Sequence, residues 1–540
     1  MTDLAADYVV VGGGLTGCVV ASRLSQSIKK PTVILLEAGS DASSNPAAAG
    51  FLSGLSLLGG EFDYNYQSEA VANTANRVHT ITSGRALGGG TILNFGGWLR
   101  ADAADYDEWA NVVRDKRWSY EGLKEWFRTS ESFHDPAADA GDHGFDGPIS
   151  VTSISASESG ERKYLLREPL KEAWTELGVS PNLQKKNGSI AGLTEVYENS
   201  REGMRQPANK AYSLRDVRVF TQSIVHKVSF TGTAATGVEL ADGRKFTARK
   251  EVIICAGAYR TPQLLMLSGV GPHDILTEHG IPIVHESPHV GQNLYDHFAL
   301  YLAFRLRDPS LGYALGSASW QNPALFKGLP WDWVVSQPVP TAIAEKHGIE
   351  GEQRQRNLWE ALTLYVPPGM PGIPIDGTHI ATSTMLLLPT SRGTVSIRSG
   401  DPENPPRIQP NCFSTQLDRD TLIHAARQTL KATLAAGPMK TIVEGETPPT
   451  GEGLDDLTPL TADASDEEIE ERIRRTGMQH YHSGGTAAMG KVVDVEGRVQ
   501  GVERLRVADA SIVPVPLGGH PQATLYAMAE QLASMITETA

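Results

Sequence analysis

The first thirty-seven residues constrain this chain most. Tyr8-Val9-Val10-Val11 is a β-branched apolar run, short enough for a strand buried on both faces. It breaks into Gly12-Gly13-Gly14-Leu15-Thr16-Gly17, a G-x-G-x-x-G pattern, and then into Cys18 to Leu24, which has helical character. Thr32-Val33-Ile34-Leu35-Leu36 predicts a second strand ending on Glu37, twenty positions after Gly17. Gly12 permits a tight turn, Gly14 lets the backbone approach a pyrophosphate, and Gly17 lets helix and strand pack closely. The helix N-terminus offers unpaired N–H groups and a partial positive charge to the phosphates. Glu37 stands where it can accept hydrogen bonds from both hydroxyls of a ribose. Strand, glycines, helix, strand and acid in this order define a dinucleotide-binding βαβ unit. Alone, it leaves NAD and FAD both open.

With 540 residues the chain exceeds one hydrophobic core, so two or more domains are expected. Apolar content of 40% and charged content of 21% are those of a globular protein. A net charge of −15 argues against nucleic acid or an anionic membrane as partner, because both need basic patches. Cys18, Cys255 and Cys412 stand far apart, and no C-x-x-C or histidine spacing points to a metal site. Ala47 to Leu58 falls short of the ~18 apolar residues of a membrane span and is interrupted by Gly50 and Gly54. The first strand begins within the first ten residues with nothing resembling a secretory signal before it, which predicts a cytoplasmic protein. A secreted chain with its signal trimmed is also compatible, and the sequon at Asn187 does not separate the two.

Gly39 to Thr80 reads as loop-rich. The following stretch from Ser83 to Arg100, through Gly88-Gly89-Gly90-Thr91-Ile92-Leu93-Asn94-Phe95-Gly96-Gly97-Trp98, has many glycines and few charges, so it reads as a backbone wrap around a flat ligand. Trp109 to Phe133 and Glu161 to Leu177 predict helices. Val217 to Val228 predicts strands returning to the sheet, Thr236 to Ala248 a hairpin turning at Asp242-Gly243, and Glu251 to Gly257 a buried strand. That strand runs into a helix at Pro262 to Leu267, where proline suits the first turn. Gly393 to Arg398 predicts a strand and Asp418 to Ala436 a helix. Pro521 to Ile536 closes the chain as a helix with Leu525, Met528, Leu532 and Ile536 on one face. Tyr301 to Pro389, rich in Trp, Pro and Gly, yields no readable pattern.

Several ordered blocks together resemble one family. Gly84 to Asn94 resembles the first signature of the glucose–methanol–choline (GMC) oxidoreductases, and Gly257-Ala258-Tyr259-Arg260-Thr261-Pro262 through Gly271 resembles the second. Val290-Gly291-Gln292-Asn293-Leu294-Tyr295-Asp296-His297 is similar to the phrase that follows it there. Ser391-Arg392-Gly393, Tyr481-His482-Ser483-Gly484-Gly485-Thr486, Asp509-Ala510-Ser511 and His520-Pro521-Gln522 resemble the family's C-terminal region. The resemblance implies an α/β fold, with a Rossmann-like FAD-binding domain and a second α+β substrate domain built on an antiparallel sheet covered by helices. It implies a discontinuous FAD-binding domain (1–150, 200–300, 478–540) and a substrate domain (151–199, 301–477). The pyrophosphate would lie at Gly12, Gly14, Leu15, Thr16 and Gly17, the ribose at Glu37 and the adenine near Val225. The isoalloxazine and ribityl would be wrapped by Gly90, Thr91, Asn94, Phe95, Gly96, Gly97, Asp509, Ala510, Pro521 and Gln522. Some members attach FAD covalently through a histidine just before the signature asparagine; Leu93 stands there, so non-covalent FAD is expected.

His482 and His520 match the family's catalytic pair, which implies His482 as base for an alcohol proton and His520 as partner to the substrate oxygen. A neutral imidazole can take that proton while hydride leaves for flavin N5. His520 has a further claim, since it precedes Pro521, the natural first residue of a helix whose dipole would face it. Tyr481 and Trp98 are weaker pocket candidates, each equally readable as a packing aromatic. His480 alternates with His482 along an expected strand and so should face away, and His79 and His297 read as structural. The leading expectation is oxidation of a primary alcohol, of aryl or allylic type, with dioxygen as acceptor and peroxide as product. An alcohol or sugar dehydrogenase using a quinone-type acceptor, and a lyase or cyclase retaining FAD structurally, are the alternatives.

Overall fold

A computed structural model describes residues 4–135, 138–156, 162–182 and 188–539; the sequon at Asn187 lies outside them. The apolar run near the N-terminus forms the strand Ala5–Val11, and Val9, Val10, Ile34 and Leu35 are fully buried. Burial of each such side chain is worth about 1.5–3 kcal/mol, which is why unrelieved β-branched runs settle in the middle of a covered sheet. Ala5–Val11 pairs in parallel with Val33–Leu36 on one side and Lys245–Ile254 on the other. Arg218–Phe220 extends the sheet in parallel beyond Val33–Leu36, and Leu505–Val507 does so beside the end of Lys245–Ile254. The strands Ala234–Leu240 and Val225–Thr231 add antiparallel beside the beginning of Lys245–Ile254. The Asp242-Gly243 turn falls where expected, with Gly243 at φ +86°.

The helix Leu15–Gln26 covers this sheet and packs on the last helix, Pro521–Thr539. Arg23 donates twice to the Glu530 carboxylate at 2.7 Å, and Tyr212 Oη donates to the same group at 2.8 Å. Proline opens the last helix, as anticipated. Its burial is nearly all-round, with Ala523, Tyr526, Ala527 and Ala529 buried as well as Met528, Leu532 and Ile536 of the predicted stripe, whose Leu525 is partly buried.

A second sheet is antiparallel throughout its main path. Its order is Val443–Thr447, Phe298–Leu306, His379–Leu386, Trp359–Leu364, Trp333–Gln337 and Gly192–Glu195, with Met478–Gln479 pairing beside the start of Phe298–Leu306. The helix Gln416–Leu434 covers it. The unreadable stretch from Tyr301 to Pro389 therefore supplies most of a sheet.

Three expected helices are altered. Trp109 to Phe133 is two helices, Ala103–Val113 and Tyr120–Ser130, followed by the strand Glu131–Phe133. Arg114, at φ +58°, ends the first, and the Ser119 hydroxyl caps the second by accepting from Gly122 N at 3.2 Å. The helix expected to begin at Pro262 begins at Gly257 and runs to Leu267, with Pro262 in its interior. The missing N–H would leave the Ala258 carbonyl without a partner; Thr486 Oγ1 donates to that oxygen at 2.6 Å instead. The helix predicted over Glu161 to Leu177 is Arg167–Glu176, with residue 161 outside the described residues.

Candidate active site

The parallel strands end at one place. The residues that follow them, Gly12, Glu37, Ser223, Ala256 and Asp509, line a cavity of about 620 Å³. This is where open α/β sheets bind ligands, because helix N-termini and strand ends leave backbone polar groups there. Gly12, Gly14, Leu15, Thr16, Glu37, Val225, Asp509 and Ala510 all line the cavity. Gly17 does not; a Cβ on it would run into the Gly12 carbonyl, so its smallness serves helix-on-strand packing, as predicted. Gly12 sits at φ +101°, and a Cβ there would strike the Cys255 carbonyl. The Glu37 carboxylate accepts from Gly13 N at 2.7 Å and from Gly39 N at 2.8 Å, and burial pushes its pKa up to about 7. These bonds hold the carboxylate at the cavity wall, where unused lone pairs suit ribose hydroxyls.

Gly90, Thr91, Asn94, Phe95, Gly96 and Gly97 form the adjoining wall, and a Cβ built on Gly90 would meet open space beyond its own turn of helix. Pro521 and Gln522 also line the cavity. Gln522 braces the loop, accepting from Asn94 Nδ2 at 3.1 Å and donating to the Gly97 carbonyl at 3.0 Å. Arg205, which sequence reasoning passed over, holds the loop from behind through the carbonyls of Thr91 (2.7 Å) and Ile92 (3.0 Å) and Asn94 Oδ1 (3.0 Å). Asp509 accepts from Gly257 N at 2.9 Å and Thr261 Oγ1 at 2.6 Å, so its carboxylate fixes the start of the Gly257–Leu267 helix. A glycine cradle at a helix N-terminus, an acid at the end of the second strand and a long glycine-lined slot fit a dinucleotide carrying a flat ring.

At the far end of the cavity stand His480, His482 and His520. The His482 and His520 ring centroids are 4.9 Å apart, and His480 lies 4.9 Å from His482 and 6.0 Å from His520. The expectation that His480 faces away is thus overturned. The strand Met478–Gln479 ends before it, and Tyr481 adopts φ +63°, so strand alternation fails and both imidazoles turn inward. Tyr481 lines the cavity and is 38% exposed, which puts it at the mouth. Trp98, also proposed for the pocket, points the other way. Its Nε1 donates to Glu131 at 3.0 Å and its ring packs on Tyr526, while Trp331 from the second sheet's side lines the cavity.

The imidazoles have distinct partners. His520 Nε2 lies 2.9 Å from Glu360 Oε1, and the carboxylate can only accept, so that nitrogen bears a proton. His482 N donates to Asp296 Oδ1 at 2.8 Å, and its ring Nδ1 lies 2.9 Å from His297 Nδ1. Burial, reinforced by repulsion from His520, His480 and His297, holds the His482 pKa well below the ordinary 6.5. Neutral His482 is therefore the form present at neutral pH. Tyr301 Oη lies 2.7 Å from His480 Nε2. Glu360, Tyr301 and Trp331 all come from the stretch without a readable pattern, and His297 is one that the sequence alone reads as structural.

A nucleotide cradle opening onto a buried imidazole pair defines a cofactor-dependent oxidoreductase. The family comparison agrees. GMC oxidoreductase models match residues 6–299 and 389–529, and the chain belongs to this family. Its members are FAD-dependent oxidoreductases acting on CH–OH groups. The GMC-type oxidoreductase acuG of Aspergillus aculeatus is 37% identical, with 98% of each chain covered. An oxygen-dependent choline dehydrogenase of Escherichia coli O139:H28 is 31% identical over 98% of this chain and 95% of its own. Among solved structures, a formate oxidase variant from Aspergillus oryzae RIB40 superposes with a TM-score of 0.89 at 25% identity, covering 99% and 98%. Among the described residues, no helix is long and apolar enough to cross a membrane.

Proposed function

We propose that this enzyme oxidises a primary alcohol on an aryl or allylic carbon to the aldehyde, with dioxygen as acceptor and hydrogen peroxide as product. The observation that carries the reading is the placement of His482 and His520 against an apolar wall. Tyr301, Leu329, Trp331, Leu362, Leu364 and Val366 line the cavity on that side. Such a wall favours a flat or unsaturated carbon skeleton over a polyol, whose hydroxyls would lose water without replacement. It also offers a quaternary ammonium no free carboxylate, since Glu360 is engaged by His520.

In this reading His482, neutral at neutral pH, takes the hydroxyl proton, and His520 holds the same oxygen as negative charge develops there. Glu360 keeps His520 oriented through Nε2, and Nδ1 donates to the substrate oxygen when the ring carries its second proton. Bound FAD supplies the hydride acceptor. The cradle at Gly12, Gly14, Leu15 and Thr16 takes its pyrophosphate, Glu37 its ribose, Val225 its adenine side, and the loop from Gly90 to Gly97 its ring. Leu93, an alkyl side chain on the cavity wall, supports non-covalent attachment.

Glu360 also motivates a second reading, in which His520 is the base, because a buried carboxylate stabilises the imidazolium that a base becomes. Anaerobic mixing with benzyl, furfuryl, allylic, aliphatic and sugar alcohols tests both. Benzyl or allylic alcohol is expected to bleach the flavin, and His482→Ala is expected to slow bleaching by about 10²–10⁴-fold. A flavin that stays oxidised with every alcohol sinks the oxidase reading and favours a lyase. A smaller loss in His482→Ala than in both His520→Ala and Glu360→Gln exchanges the two roles. Dioxygen consumption compared with quinone reduction then separates oxidase from dehydrogenase.

A further inference from the structure

His297 stands at the head of the strand Phe298–Leu306, and its ring is 2% exposed. Its Nε2 lies 2.9 Å from the Leu517 carbonyl oxygen and its Nδ1 lies 2.9 Å from His482 Nδ1. A carbonyl oxygen only accepts, so the His297 Nε2 bears the proton in that bond. Burial and repulsion from His520 hold the His297 pKa down to about 3, so the ring carries that one proton and its Nδ1 is a lone pair. The bond between the two Nδ1 atoms then has one donor available, His482 Nδ1–H. A neutral imidazole has a single N–H, and His482 therefore keeps its own lone pair at Nε2.

From this chain of bonds we infer that His297 is a positioning residue that sets the tautomer of His482, making Nε2 the proton-accepting atom. The neighbouring Asp296 completes the device. Its Oδ1 accepts from His482 N at 2.8 Å and its Oδ2 from Ser483 Oγ at 2.7 Å. His480 N donates to the His297 carbonyl at 3.0 Å. Asp296 and His297 together fix the backbone and the ring of the base. Without the Nδ1 acceptor, His482 is free to carry its proton on either nitrogen, and one of the two forms presents N–H where a base is required.

The inference rests on the proposed role of His482, and the experiment separates the two. Wild type, His297→Phe and His297→Asn holoenzymes are mixed anaerobically with saturating benzyl or allylic alcohol. The Asn variant places Oδ1 near the vacated Nδ1 position and still accepts from His482. His297→Phe is expected to bleach on the order of 10²-fold more slowly, with FAD content and substrate affinity within about twofold of wild type. His297→Asn is expected to stay within about fivefold of wild type, a rescue that a packing role would not give. Equal rates in wild type and His297→Phe, or equal losses in both variants, overturn the proposal. Should His297→Phe lose its flavin, His297→Gln replaces it, since its longer amide leaves the Nδ1 position unfilled. ¹⁵N-histidine spectra, with His482 assigned by its loss in His482→Gln, read the tautomer without turnover. Nδ1–H in wild type and a shifted or mixed state in His297→Phe are expected, and Nε2–H in wild type refutes the inference even if no alcohol is oxidised.

Discussion

At the residue scale, buried imidazoles couple this protein to pH outside the cavity as well as within it. His79 is buried, lies 2.7 Å from Thr74 Oγ1 through Nε2, and has its pKa pushed down to about 4 by burial and by Arg77. Above the ordinary 6.5 the ring is neutral folded or unfolded and contributes no pH dependence. Between that value and about 4 the unfolded chain binds a proton that the native state refuses, so stability falls as pH falls through this window. His79→Gln keeps a partner for Thr74 and removes the titration. Relative to wild type, its stability should rise by about 2 kcal/mol on going from about pH 8 to about pH 5, read as melting temperature at each pH. A pH-independent difference would show that His79 does not titrate this way. The same scale explains what could be read beforehand. His482 and His520 are legible because the blocks Tyr481 to Thr486 and His520-Pro521-Gln522 resemble the family's C-terminal region, and His520 also precedes the helix-opening Pro521. Glu360 carries no such marker; only sheet pairing brings it across 160 positions to His520.

At the element scale, the Gly257–Leu267 helix tolerates an interior proline because a distant hydroxyl replaces the lost backbone donor. Thr486→Val removes that hydroxyl without changing side-chain shape and should cost about 1–3 kcal/mol, the penalty for an unpartnered buried carbonyl. Pro262→Ala in the same chain returns an N–H to the Ala258 oxygen. Melting of the four proteins in this cycle should give a coupling of about 1 kcal/mol, with the double variant more stable than the two single effects predict. Strict additivity would mean that Thr486 acts elsewhere. Elements whose logic is local were legible: the apolar strand Ala5–Val11, the Asp242-Gly243 hairpin and the proline-headed last helix. His379–Leu386 was not. Its Thr382, Ser383 and Thr384 are all buried, and Thr384 Oγ1 donates to Thr429 Oγ1 of the helix Gln416–Leu434 at 2.9 Å. Small polar residues buried on both faces, one of them bonded to a partner 45 positions away, erase the alternation that marks a strand.

At the scale of the whole molecule, the cavity lies between the carboxyl ends of the parallel sheet and one side of the antiparallel sheet. Three bonds tie the two: Glu360 to His520 at 2.9 Å, Tyr301 to His480 at 2.7 Å, and His297 to the Leu517 carbonyl at 2.9 Å. A cofactor seated in the glycine cradle would touch mainly the first sheet and its loop, yet these ties should carry its stabilisation into the second. Acid ammonium sulfate treatment is expected to leave all flavin in the supernatant, since Leu93 offers no bonding atom; yellow protein pellets would disprove non-covalent attachment. The apoprotein should melt lower, and FAD at about 100 times its Kd should restore about 2.7 kcal/mol. Amide exchange should slow on FAD addition in Ala5–Val11 and also in Trp359–Leu364. In His520→Ala, protection of Ala5–Val11 should persist while that of Trp359–Leu364 drops, because the strand bearing Glu360 has lost its tie. If both strands respond alike in that variant, the sheets are coupled by general packing and the imidazole cluster serves chemistry alone.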